Sequence, residues 1–129
     1  MLLRKYMSLI GVGSAQIDLI LPKTTYKTGE QIHGYYLIKG GTIEQQIKRI
    51  DCDLVMSDDL HDTETIIDST SFLTTQLIYS GERNKISFQF TLPKHTKRSS
   101  KHISYYFKTT LTFNEGVESR DEDMIRIIE

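Results

Sequence analysis

Tyr26-Lys27-Thr28-Gly29-Glu30-Gln31-Ile32-His33-Gly34-Tyr35-Tyr36-Leu37-Ile38-Lys39-Gly40-Gly41, with its continuation to Met56, is the stretch whose reading decides the fold. Ile32, Gly34, Tyr36 and Ile38 share one face at a spacing of two, and Gln31, His33, Tyr35, Leu37 and Lys39 share the other. That period belongs to a β-strand with one face buried and one mostly solvated. Gly40-Gly41 can supply the two positive φ angles of a tight turn. Ile43, Gln45 and Ile47 then alternate with Glu44 and Gln46, and Ile50, Cys52, Leu54 and Met56 carry the apolar face onward. The stretch reads as a β-hairpin turning at Gly40-Gly41.

At 129 residues the chain has the size of one domain, and residues 1–129 are read as a single unit burying about two-thirds of the unfolded surface. Apolar residues make up 38% and charged residues 26%, the composition of a globular chain rather than a disordered one. A formal net charge of -1 gives no overall pull toward nucleic acid or acidic lipid, so an electrostatic partner would need a local patch. Cys52 is the only cysteine, which excludes an intramolecular disulfide. Its alternation with Ile50 and Leu54 places it on the buried face as a small apolar residue. A catalytic thiol would need an adjacent base in an exposed cleft, and nothing local supplies one. No apolar run approaches the roughly 20 residues of a membrane span. Arg4-Lys5 and the run Met7 to Val12 imitate a weak signal peptide, but Gly and Ser dilute it, and the reading is a cytoplasmic chain.

Outward from the central stretch, Leu2, Leu3, Tyr6, Leu9 and Ile10 recur at helical spacing and predict a short amphipathic helix within residues 1–12, packed on the domain. Arg4 and Lys5 raise a membrane-surface helix as the alternative, which one or two weakly charged turns would support poorly. Gly11-Val12-Gly13 lacks the third glycine and the strand-then-helix order of a dinucleotide site, and it reads as a loop before a strand at Ile17, Leu19 and Leu21. Ser57 to Glu64 is oxygen-rich, yet it lacks the turn glycine and spaced ligands of a calcium loop. His61 with Asp62 is too little for zinc. It reads as a solvated turn, and nothing in the chain calls for a metal or a cofactor. Thr63 to Tyr79 mixes signals but favours strand, and Ile86, Phe88, Phe90 and Leu92 alternate strictly up to Pro93.

Lys94, His95, Lys97, Arg98, Lys101 and His102 form the one concentration of charge, with no acid among them. They are the candidate interaction residues for an anionic ligand, a lipid headgroup or nucleic acid, through attraction that salt would screen. Aromatics are not interleaved until Tyr105-Tyr106-Phe107, which weighs against nucleic acid. The plain alternative is a solvated loop. Ile103, Tyr105, Phe107, Thr109, Leu111 and Phe113 make the longest alternating run. Asn114-Glu115-Gly116 turns the chain, Ser119 to Asp123 reads as an acidic loop, and Met124 to Ile128 as the last strand.

Roughly seven or eight strands separated by turn signals predict an all-β fold, an antiparallel sandwich of two sheets. Strands alternating with helices are missing, which argues against a parallel α/β sheet. No nucleophile elbow, phosphate loop or His-Glu-x-x-His appears, and the four histidines His33, His61, His95 and His102 fall on loops or an exposed strand face. The chain is read as not an enzyme.

Tyr26-x-x-Gly29-Glu30 before a strand, then Lys39-Gly40-Gly41, then Ile43-Glu44-Gln45-Gln46-Ile47, resembles the start of the sporulation-control proteins of the bacillus type. Gly11 to Ala15 leading into Ile17-Leu21 is similar to the same family, as are Phe88 to Pro93 and Leu111-Thr112-Phe113 followed by Val117, Asp121, Asp123 and Met124. Thr28 stands where the family usually has Pro, and the family carries a second arrestin-like domain where this chain ends at Glu129. The resemblance implies an immunoglobulin-like sandwich of the arrestin N-domain type. It also implies a non-catalytic regulatory module of a bacterium that docks protein partners through edge strands and loops. A surface the family covers internally would be bared without the second domain, so a homodimer is a further expectation.

Overall fold

Alternating apolar and polar residues build nine strands in the computed structural model of the protein, which describes residues 13–116 and 118–129. In chain order they are β1 (Gln16–Ile20), β2 (Thr25–Lys27), β3 (Gln31–Lys39), β4 (Gln45–Asp58), β5 (Thr63–Leu73), β6 (Leu77–Ile78), β7 (Arg83–Thr91), β8 (Ile103–Phe113) and β9 (Glu118–Ile128). Among the described residues there is no helix, and the helix expected within residues 1–12 lies outside them.

The strands form two sheets of unequal width. The smaller has the order β1-β3-β7 and is antiparallel; the larger runs β2-β9-β8-β4-β5, with β6 on β4. β2 lies parallel to β9, and the other pairs of the larger sheet are antiparallel. Their inward faces share one core. Ile17, Leu19, Tyr36, Ile38, Phe88 and Phe90 come from the smaller sheet, and Ile50, Leu54, Tyr105, Phe107, Leu111 and Ile127 from the larger. Phe107 binds the layers: its ring meets Phe88 at 5.6 Å and Phe90 at 5.1 Å, both edge to face. That geometry places the positive ring edge against the negative face. Cys52 is fully buried, 3.5 Å from the Thr109 hydroxyl, and burial pushes its thiol up to about 12. It behaves as a core residue.

The hairpin expected at Gly40-Gly41 does not form. β3 pairs with β1 and β7, β4 pairs with β5, β6 and β8, and the two glycines carry the chain from one sheet to the other. Among the described glycines, positive φ falls instead at Gly13, Gly29, Gly81 and Gly116. What Gly40 and Gly41 provide is room. A Cβ on Gly40 would stand 2.0 Å from the Tyr79 carbonyl oxygen, and one on Gly41 2.1 Å from that of Gly13. The crossing is held by Gly40 N–H donating to Glu82 O at 2.6 Å and Thr42 N–H donating to Gly13 O at 2.8 Å. A glycine pair thus marked close backbone approach rather than a turn.

The acidic loop expected at Ser119 to Asp123 is part of β9. Its backbone pairs with β8, Asp121 opposite Thr109 and Asp123 opposite Phe107. Composition suggested a loop, and a neighbouring strand with open hydrogen bonds overrode it. The turn expected over Ser57 to Glu64 is confined to residues 59–62, and the Asp58 carboxylate before it accepts from the backbone N–H groups of Leu60 and His61 and lies 2.8 Å from His61 Nδ1. Those bonds hold the Asp58 carboxyl below its ordinary value, the His61 side chain foremost.

Candidate functional site

The six basic residues of the 94–102 loop do not converge. Lys94 lies against Gly29, whose added Cβ would meet its Cγ at 3.2 Å. Arg98 reaches toward Glu129 at 3.8 Å, in an exposed pair of small energetic weight. His102 Nδ1 meets Asp59 at 2.8 Å, and Lys101 is exposed. His95 and Lys97 line one cavity together. The backbone of the loop is nevertheless fixed: the Tyr105 hydroxyl donates to Lys97 O at 2.5 Å, and Ser99 N–H donates to Ile127 O at 2.7 Å. The four histidines are all exposed and sit at separate places, His33 on β3, His61 in the β4–β5 turn, and His95 and His102 on this loop.

That cavity has a volume of about 320 Å³ and opens between the loop and the edge of the larger sheet. Met56, Ile67, Pro93 and Tyr105 give it an apolar floor, with His95, Thr96 and Lys97 as its polar part. Ile67 is there because of a bulge: Leu54 pairs with Asp68 and Val55 with Ile66, so β5 carries one residue more than β4. β5 itself is an eleven-residue strand at the sheet edge, hydrogen-bonded only to β4 among the described residues. Nearly all of it is solvent-exposed, including Ile66 at 60% and Leu73 at 73%. Phe72, Leu77 and Tyr79 are exposed as well.

At the opposite side of the larger sheet, Asp18 of β1 meets Asp121 and Asp123 of β9, with one oxygen of each within 4.8 Å of the others. Asp121 accepts from the Leu19 backbone N–H at 2.8 Å and the Ser119 hydroxyl from that of Ile17 at 3.3 Å, so β9 side chains satisfy the outer edge of β1. Asp123 Oδ2 is shielded from water without a hydrogen-bond partner. Burial raises the Asp123 carboxyl to about 7, helped by its contact with Asp121 and by the charges of Asp121 and Asp18. Asp18 is raised for the same reasons, and Lys39 opposes that. Three carboxylates suit a hard divalent cation in kind, but they fall short of the six to eight oxygens, roughly, of a calcium sphere. A proton held in the cluster answers the same repulsion.

Sequence reasoning missed both places. Ser119, Asp121 and Asp123 do alternate in phase with Ile125 and Ile127, so their inward orientation was readable, but Asp18 lies about a hundred residues away and the chain gives no sign of the meeting. For the cavity, no local signal announces the bulge at Ile67.

Two unequal sheets with an open strand edge and a small loop-walled cavity define an all-β chain. The chain belongs to the sporulation-control family described as SpoOM protein, which it matches over residues 3–128. It is 32% identical over 128 residues to the sporulation-control protein spo0M of Bacillus subtilis (strain 168), an alignment spanning 95% of this chain and 50% of that protein. The crystal structure of Spo0M from Bacillus subtilis matches with a TM-score of 0.84 at 30% identity, over 92% of this chain and 51% of that one. The chain therefore spans about half the length of these relatives. The alkylpurine DNA glycosylase AlkC of Pseudomonas fluorescens, solved with DNA containing an abasic-site analogue, shares the fold with a TM-score of 0.53 at 11% identity, over 98% of this chain and 33% of its own. No helix among the described residues is long and apolar enough to cross a membrane.

Proposed function

We propose that this chain is a non-catalytic regulatory module of sporulation control, an immunoglobulin-like sandwich of the arrestin N-domain type, acting in the cytoplasm by docking a protein partner. The observation that carries the reading is β5, eleven residues long, with one edge unpaired among the described residues and Ile66, Phe72 and Leu73 exposed. Natural sheets blunt such edges with lysine, proline or bulges; β5 has no lysine or proline, and its one bulge at Ile67 leaves the register regular from Asp68 to Leu73. A partner segment added there would satisfy the open main-chain groups. Family membership and the scattered histidines support a role without catalysis. The reading of the 94–102 loop as an anionic-ligand site narrows to His95 and Lys97, which face the cavity.

The test is capture from cells of the native organism with the wild-type chain and with Ile66→Lys/Leu73→Lys, whose outward positions leave the core untouched. Partners held by the wild type and lost by the double variant, with unchanged circular dichroism, support the edge. Equal capture by both removes β5 from the reading.

A further inference from the structure

We infer that the cavity beside β5 is a binding site for an extended acidic protein segment, seating one large apolar side chain of that segment while a neighbouring carboxylate pairs with Lys97. The inference deepens the β5 docking reading and rests on it for the path of the main chain.

Three observations meet here. The first is size and lining: an apolar cavity of about 150 Å³ holds a benzene molecule, so about 320 Å³ over Met56, Ile67, Pro93 and Tyr105 accommodates a leucine or phenylalanine side chain. The second is charge. Lys97 and His95 belong to the wall, and no acid lines it among the described residues, so a carboxylate is the complementary neighbour. The third is an orphan: Thr96 Oγ1 is shielded from solvent and has no hydrogen-bond partner, although Thr96 N–H donates to Pro93 O at 3.1 Å. A buried hydroxyl left unpaired costs free energy that a ligand oxygen or amide returns on binding.

A protein segment fits better than a free amphiphile because Ile67 belongs to both features. It stands in the cavity floor, and it is the bulge residue of a strand whose outer edge is open. A segment added along β5 alternates its side chains between the two faces, so every second residue points toward the cavity side. The loop wall is already ordered by Tyr105 and Ser99, which lowers the cost of binding.

The experiment is fluorescence anisotropy on the full chain with a fluorescein-labelled peptide of about ten residues alternating glutamate and leucine, beside the lysine–leucine peptide, an N-methylated glutamate–leucine peptide and decanoate. The acidic peptide binds, the basic one does not, and Lys97→Glu weakens the acidic peptide at least about tenfold while admitting the basic one, as expected for a close charge pair. Thr96→Val leaves the fold intact and weakens the acidic peptide several-fold. Equal binding of the two peptides, indifference to Lys97→Glu, binding of decanoate but not peptide, or self-association that excludes the peptide would each overturn the inference. If N-methylation leaves affinity unchanged while Lys97→Glu still reverses the preference, the β5 edge reading falls and the cavity site stands.

Discussion

Replacing Asp123 with asparagine removes one negative charge from the inward face of β9 while keeping the side chain's shape and a donor for Asp121. The folded carboxyl sits at about 7 against an ordinary 3.8, so the folded chain keeps a proton that the unfolded chain gives up near pH 4. Because the folded value is raised, the penalty is absent below about pH 4, grows as pH rises through the interval, and is complete above about 7. About three pH decades at roughly 1.4 kcal/mol each set a ceiling of about 4 kcal/mol. Asp123 is only partly buried, and solvent screening reduces this to ~1–2 kcal/mol. Asp123→Asn is therefore more stable than the wild type by ~1–2 kcal/mol at pH 8 and indistinguishable from it near pH 4. Urea unfolding from pH 4 to 8.5 measures the difference. Carboxylates held below their ordinary values, Glu30 by Lys23 and Asp58 by His61, lose stability in acid equally in both proteins and cancel. A difference that does not vary with pH, or a variant less stable at pH 8, would refute the account of the cluster.

Two further outcomes follow from the core and its crossing. Gly41→Ala forces a Cβ to 2.1 Å from Gly13 O, and urea unfolding should show a loss of about 1–3 kcal/mol; a variant as stable as the wild type would mean that the Gly13–Ala15 segment yields freely. Cys52, fully buried with its thiol at about 12, should react with a disulfide reagent at pH 8 only as fast as the chain unfolds, so rapid native-state labelling would contradict its place in the core.

Strand positions were legible wherever one face is buried and the other wet. Ile32, Tyr36 and Ile38 on β3, and Tyr105 to Phe113 on β8, are buried at alternate residues as the spacing implied. Pairing was not legible. Lys39 and Gln45 are six residues apart, yet the strands they end and begin belong to different sheets, because the choice is made by β7, β8 and Gly13, all remote in sequence. β5 was readable as strand from its β-branched residues, but not as an edge, which only the strand order reveals. The charge run at 94–102 was visible, and its dispersal was not. Lys94, Arg98 and His102 lie by Gly29, Glu129 and Asp59, while His95 and Lys97 line the cavity and Lys101 is exposed.

β9 also has a bearing on how the protein is made. It supplies the parallel partner of β2, and its Ser119 and Asp121 hold backbone N–H groups of Ile17 and Leu19 across 102 residues of chain. These hydrogen bonds of β1 and β2 therefore stay open to water until β9 is in place. Before β9 is in place β1 can already pair with β3, but β2 lacks its partner strand, and closure of so long a loop makes completion of the fold a slow step.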